Sequence, residues 1–202
     1  MENINAISAA IIAGGKSARF GIPKVTAVYQ NKRLIDWAVL LAENITSHIV
    51  IVSGPEEIKY FDHIRSVRDK VIDRGPIGGI YTALEFFPDE WVAVLPCDMP
   101  RLSAKVYHYM MKFRSDNQPV VAKSAKGLEP LVSLWPGNAL STVEKSILEG
   151  NYSLHKLLSR LNAVQVDIPE EMPDYKPEYF YNINTQDDLM KLTQKDEIHD
   201  PT

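Results

Sequence analysis

The segment from Ala6 to Lys24 constrains this chain more than any other. Ala6-Ile7-Ser8-Ala9-Ala10-Ile11-Ile12-Ala13 is uncharged and apolar, and it empties directly into Gly14-Gly15. A short apolar run bounded by glycine reads as a buried strand. The loop that follows carries three glycines, Gly14, Gly15 and Gly21, and three cations, Lys16, Arg19 and Lys24. Glycine lets the backbone turn tightly and aim its N–H groups inward, so such a loop can wrap an anion that the cations then neutralise. The same residues also suit an ordinary basic surface loop, because short glycine motifs recur by chance. The rest of the chain has to decide between the two.

At 202 residues the chain is long enough for one domain with a sizeable core. A hydrophobic content of 45% and a charged content of 24% are those of a globular protein. The net charge of −4 argues against a general nucleic-acid binder while allowing a locally basic pocket. A single cysteine, Cys97, excludes an internal disulfide and a multi-cysteine zinc site. No apolar run approaches the roughly 18 residues of a membrane span, and no basic start with a cleavage site precedes the first strand. The expectation is a cytoplasmic protein with no membrane contact.

Strand-like and helix-like segments alternate, which predicts an α/β layer fold. Leu34 to Ile45 sets Leu34, Ile35, Ala38, Leu41, Ala42 and Ile45 on one helical face. Residues 48–52, 71–73 and 91–95 read as strands, with a glycine-rich turn over Gly75–Gly79 and a helix from Ile80 to Phe87. Ser103 reads as the N-cap of a helix reaching about Arg114. Residues 120–122 and 131–135 read as strands around a turn at Gly127, followed by helices over 139–149 and 153–161 and a strand over 163–168. A Pro-rich acidic connector over 169–177 leads to a strand-like 179–183. Thr185 then caps a last helix, and the tail from about 195 is polar and expected to fray. In a mostly parallel sheet, ligands gather at the carboxyl ends of the strands. Four strand-end loops there carry chemistry: 14–24, 53–54, 73–79 and 96–100.

Two common phosphate motifs are absent. No Gly-x-x-x-x-Gly-Lys-Ser/Thr occurs, and Gly14 to Gly21 does not have the Gly-x-Gly-x-x-Gly spacing of a dinucleotide fold, whose second strand would also end in an acid rather than in Ser53. The loop Ile12-Ala13-Gly14-Gly15-x-Ser17-x-Arg19-Phe20-Gly21-x-x-Lys24 instead resembles the signature of the nucleotidyltransferases with a Rossmann-like fold, and within them the molybdenum cofactor guanylyltransferases of the MobA family. The resemblance extends along nearly the whole chain. It takes in Gly75-Pro76-Ile77-Gly78-Gly79, Leu95-Pro96-Cys97-Asp98-Met99-Pro100, Glu129-Pro130-Leu131 and Asn182-Ile183-Asn184-Thr185-x-x-Asp188-Leu189, in that order.

The resemblance implies one three-layer α/β/α domain over about 1–194, its sheet mostly parallel and partly mixed. The nucleotide would occupy the half up to about residue 100 and the acceptor the remainder. It implies transfer of GMP from GTP to the terminal phosphate of molybdopterin, with Mg²⁺ and release of pyrophosphate. Ile12, Ala13, Gly14 and Gly15 map onto the guanine- and phosphate-reading backbone, and Ser53, Asp73 and Gly78 onto further nucleotide contacts. Arg19 and Lys24 would hold the phosphates. Asp98, at the end of a very apolar strand, would carry the metal, since an uncompensated carboxylate there is costly; on residue type alone it equally suits an N-cap ahead of Ser103. Asp73 also suits a plain turn. Glu129, Pro130, Asn182 and Asn184 map onto the acceptor side, the asparagines doubling as turn residues before Thr185. Cys97 reads as a small buried hydrophobe. The family's loop commonly ends Gly-x-Asp-Lys, and here Pro23 stands in place of that aspartate. Cytidylyl transfer to the same cofactor, guanylyl transfer to cobinamide phosphate or phospholactate, and a non-catalytic nucleotide-binding module remain alternatives. A cofactor-delivery or molybdoenzyme-maturation protein stays open as a partner.

Overall fold

A computed structural model describes residues 7–14, 20, 23–55, 57–88, 90–115 and 117–199, with backbone alone for 195–199. The first apolar run forms strand β1 (Ile7–Ile12). A two-stranded ribbon follows, β2 (Val28–Tyr29) and β3 (Lys32–Arg33), and leads into helix α1 (Leu34–Glu43). Leu34, Ile35, Ala38, Val39, Leu41 and Ala42 are the buried face of α1. Its first turn is fixed by Asp36, whose carboxylate accepts from the Arg33 backbone N–H at 2.8 Å and from the Arg33 guanidinium at 2.7 Å. Then come β4 (Ile49–Ser53), β5 (Arg65–Arg68), α2 (Pro76–Phe86), β6 (Trp91–Pro96) and α3 (Ala104–Met110). The chain ends with β7 (Val120–Ser124), β8 (Gly127–Pro136), α4 (Leu140–Leu148), α5 (Leu154–Arg160), β9 (Val164–Asp167), α6 (Ile168–Glu171) and α7 (Gln186–His199).

Among the described residues the main sheet has seven strands in the order β5-β4-β1-β6-β8-β7-β9. Only β8 runs against the others: β6 and β7 both pair with it antiparallel, and the remaining pairs are parallel. Alternation along each strand feeds two cores, as the pleat requires. Ala9, Ile11, Ala93 and Leu95 face α1 and α3, whereas Ala10, Ile12, Val92 and Val94 face α2, α4 and α5. The result is the expected three-layer α/β/α architecture with one reversed strand. No helix among the described residues is long and apolar enough to cross a membrane.

Four local expectations change. The strand expected at Val71–Asp73 is a turn, because Asp73 has φ +63°, which no strand accommodates, and Ile72 is 52% exposed. The edge strand is the polar Arg65–Arg68, which pairs with β4 alone and so lacks the apolar alternation of a buried strand. Helix α2 starts at Pro76 rather than Ile80: Gly75 at φ +75° reverses the chain, and proline suits the first helical position. Residues 179–183 add no strand. Pro177 opens a 3₁₀ turn over Pro177–Phe180, and the consecutive buried pair Tyr179 and Phe180 mimics a strand in sequence. Finally, α7 continues past Gln194 to His199, with no proline or glycine before Pro201 to stop it.

Helix α3 is tied to the centre of the sheet by Tyr107, whose buried hydroxyl donates to the Val94 carbonyl at 2.8 Å. Tyr107→Phe deletes the donor and keeps the ring. A loss of about 1–2 kcal/mol is expected in urea unfolding followed by circular dichroism.

Candidate functional site

The carboxyl ends of β4, β1 and β6 lie side by side, so three of the chemistry-bearing loops meet at one edge. Ala13 N–H donates to the Val52 carbonyl at 2.8 Å, which carries the strand pairing one residue into the loop. Beyond it, Gly14 faces the cleft. A Cβ on Gly14 would stand 3.4 Å from the Gly54 nitrogen, so these two loop backbones touch. Ile12, 5% exposed, fills the floor against Gly79, where an added Cβ would meet its methyls at 3.0 and 3.1 Å. Gly15 and Arg19 of the expected site lie outside the described residues, as do Lys16, Ser17 and Gly21. Phe20 is described. It is 2% exposed in a small core with Leu34, Ile183 and Leu192, and its carbonyl accepts from Gln186 Nε2 at 3.1 Å.

Lys24 sits at the start of a 3₁₀ turn, Lys24–Thr26, behind Pro23 at φ −56°. Pro23 therefore does not divert the chain. Lys24 Nζ donates to Asp98 Oδ2 at 2.7 Å and to Asn184 Oδ1 at 3.0 Å. Residues from three distant parts of the sequence thus converge on one ammonium group. The Asp98 and Lys24 side chains are only 19% and 18% exposed, so this pair is screened less than a surface salt bridge. Asn184 is delivered by the backbone: Ile183 N–H donates to the Asp98 carbonyl at 2.9 Å, laying residues 182–184 along the end of β6. The start of α7 holds that placement, since Asp188 Oδ2 accepts from Asn184 N at 3.0 Å and Thr185 N at 2.9 Å, while Thr185 Oγ1 accepts from Asp188 N at 3.1 Å. Thr185 is thus the expected cap.

Two oxygens here are buried without any hydrogen-bond donor, Asp98 Oδ1 and Asn182 Oδ1. An acceptor stripped of water and left unmatched costs about 1–3 kcal/mol, more for a charged group. A hard divalent cation answers that deficit, because Mg²⁺ takes one or two carboxylate oxygens and fills its shell with water and substrate oxygens. The donor set fits such an ion, with Asp98 as the carboxylate. Cys97 is no nucleophile: burial, with the neighbouring Asp98 charge, pushes its thiol up to about 12.

The nucleotide-side residues divide. Asp69, which the sequence reading passed over, stands directly after β5 with its carboxylate against α2. Burial raises its pKa, and the Val71 N–H (2.8 Å to Oδ1) and the Thr82 hydroxyl oppose that shift. Gly78 is glycine for this reason. An added Cβ would fall 2.5 Å from Asp69 Oδ1 and 2.6 Å from the Val71 carbonyl. Asp73, the expected acid, lies in the exposed turn four residues later. Its only sequence advantage was proximity to Gly75; Asp69 follows the edge strand, which polarity had hidden. Ser53 is buried, and its hydroxyl donates to the Val67 carbonyl at 3.1 Å, inside the sheet rather than into the cleft.

On the other side of Asp98, Glu129 pairs with Ala122 across β8 and β7, whereas Val121 pairs with Ser133, so Pro130–Val132 bulge out of the ladder. Bulges of this kind re-aim side chains beside sites. Ser124 Oγ donates to Glu129 Oε1 at 2.7 Å, and Ser133 Oγ to the Pro130 carbonyl at 2.8 Å. Burial raises the Glu129 pKa, opposed by Ser124 and Lys126 and reinforced by the Asp98 charge.

Gly78→Ala should displace Asp69 and cost about 1–3 kcal/mol in chemical denaturation. Gly79→Ala should cost less, since only flexible Ile12 methyls oppose it.

The family model described as the MobA-like NTP transferase domain matches residues 9–165. A protein of Clostridium perfringens named probable molybdenum cofactor guanylyltransferase is 30% identical over 198 residues, covering 95% of this chain and 98% of its own. One of the same name from Thermococcus sibiricus is 35% identical over 189 residues, covering 90% and 95%. The crystal structure of a molybdopterin-guanine dinucleotide biosynthesis protein A from Archaeoglobus fulgidus superposes with a TM-score of 0.78 at 25% identity, covering 95% of this chain and 99% of that one. With the fold, the glycine-lined cleft and the Lys24–Asp98 pair in agreement, the chain belongs to the MobA-like NTP transferase family and is a nucleotidyltransferase.

Proposed function

We propose that this enzyme transfers GMP from GTP to the terminal phosphate of molybdopterin, with Mg²⁺, and releases pyrophosphate. The observation that carries the reading is the meeting of Lys24 Nζ with Asp98 beneath the Gly14 and Gly54 loops. The names of the Clostridium and Thermococcus relatives support the choice of base and acceptor.

In this reading an oxygen of the acceptor phosphate forms a bond to the α-phosphorus of GTP while the bond to the β-phosphate breaks. The protein's work is positioning and charge neutralisation. Gly14 and Gly15 bring the backbone close to the nucleotide, and Ile12 and Ala13 leave room for a flat purine. Arg19 and Lys24 hold the phosphates, Lys24 pivoting on Asn184. Gly78 and the neighbouring Asp69 shape the start of α2, with Ser53 bracing β5. Asp73 belongs to the loop above them. Asp98, with Asn182 beside it, would hold Mg²⁺, which when bound neutralises phosphate charge. Glu129, Pro130, Asn182 and Asn184 face the acceptor. The cytoplasm, with its GTP pool and reduced thiols, suits these substrates and Cys97.

The decisive assay incubates the protein with GTP, Mg²⁺ and molybdenum cofactor and detects the guanine dinucleotide by mass. CTP and ATP run alongside, and a dinucleotide formed from CTP alone would overturn the choice of base. Lys24→Ala should weaken GTP binding at least roughly tenfold by calorimetry. Asp98→Asn should lower kcat by about 10²- to 10³-fold. GTP affinity unchanged in Lys24→Ala would count against its phosphate role.

A further inference from the structure

Asp98 divides the carboxyl edge of the sheet. On one side of β6 lie β1 and β4, whose loops carry Gly14 and Gly54, and on the other lie β8 and β7. A nucleotide over Gly14 leaves the β8–β7 side to the second substrate. That side carries Glu129, a half-buried carboxylate close enough for the Asp98 charge to reach it. Ser124, 4% exposed, donates one hydrogen bond to Oε1. A carboxylate has capacity for about four such bonds, so Glu129 has room to accept more. The Pro130–Val132 bulge begins directly after it and separates it from the regular ladder.

The connector over 169–177, which the nucleotide chemistry leaves unused, brings an aromatic group to the same place. Tyr175 is half-buried, and its phenol feels the Glu129 charge. Its ring stands edge-on to Tyr179 at 6.2 Å and lies 6.3 Å from Phe180. Two carboxylate oxygens accept a parallel pair of N–H groups, as they do from guanidinium, while aromatic rings bury the faces of a flat heterocycle. Together they suit a planar ring whose edge carries adjacent N–H donors.

We propose that Glu129 and Tyr175 form the specificity subsite for the acceptor. Glu129 accepts the paired N–H groups of a 2-amino-4-oxopyrimidine edge, and Tyr175 packs on the ring face. Pterins and guanine both carry that edge; the position of Glu129 across β6 from Gly14 assigns it to the pterin of the acceptor. The assignment rests on the guanylyl-transfer reading above.

Glu129→Gln keeps the size of the side chain and an oxygen for Ser124, but sets an NH₂ group against an N–H donor. Three quantities are compared in wild type and variant: KM for molybdopterin, Kd for GTP with Mg²⁺, and the binding of pterin against lumazine, which has an oxo group in place of the 2-amino group, read by ligand fluorescence without GTP. The expected result is a KM for molybdopterin raised roughly 10- to 100-fold with the GTP Kd within about twofold. Wild type should prefer pterin to lumazine, and Glu129→Gln should lose the preference. Tyr175→Ala should raise the same KM, and Tyr175→Phe should not. Weakened GTP binding in Glu129→Gln would assign the carboxylate to the nucleotide and overturn the proposal. So would a wild type without preference between pterin and lumazine, or a KM unmoved by both Glu129→Gln and Tyr175→Ala. A wild type that binds pterin selectively yet forms no guanine dinucleotide would sink the transfer reading and leave the subsite standing.

Discussion

A carboxylate at the end of a fully apolar strand must be compensated, and in this protein half of the compensation is built in. Lys24 reaches across from the glycine loop to one oxygen of Asp98, and the other oxygen is buried with no donor. The ion pair places the charge that phosphates need beside the charge that a cation needs. It also fixes three chain segments relative to one another, because Lys24 binds Asn184 and Ile183 binds the Asp98 backbone. Removing either partner leaves the other desolvated and unmatched, which is costlier than never having built the pair.

The sheet order turns that local pairing into an arrangement for two substrates. β6 is the boundary between the parallel strands and the reversed β8, and Asp98 sits at its tip. Parallel strands followed by helices leave glycine-rich turns that suit an anion. The hairpin of β7 and β8 has no such turn at that end and offers side chains instead: Ser124, Lys126 and Glu129. Backbone donors on one side and side-chain acceptors on the other give the two halves of the cleft opposite hydrogen-bonding character.

Much of this was legible in the sequence because the buried strands have no polar residues to blur them and the loops after them begin with glycine, proline or aspartate. The convergence of Lys24, Asp98 and Asn184 followed from strand-end chemistry and the family's motif order. What escaped was set by tertiary packing. Asp69 follows a strand whose Arg-Ser-Val-Arg sequence has no apolar alternation, because it lies at the sheet edge; Asp73 drew attention only through its nearness to Gly75. The start of α2 was hidden because Gly78 and Gly79 look like a turn, when the missing side chains make room for Asp69 and Ile12. Ser53 ends its strand as expected, but its hydroxyl is spent on a neighbouring strand, a choice visible only once β5 is in place.

The small core that joins Phe20 to Ile183, Leu189 and Leu192 binds an early loop to one of the last elements of the chain. During synthesis, the strands that carry Gly14 and Asp98 are complete long before Asn184, Gln186 and Leu192 have left the ribosome. A nascent chain therefore holds most of its sheet without the clasp that seats Phe20 and Lys24. Competence to hold a nucleotide arrives late, as a final closing event rather than as a property of the first half alone.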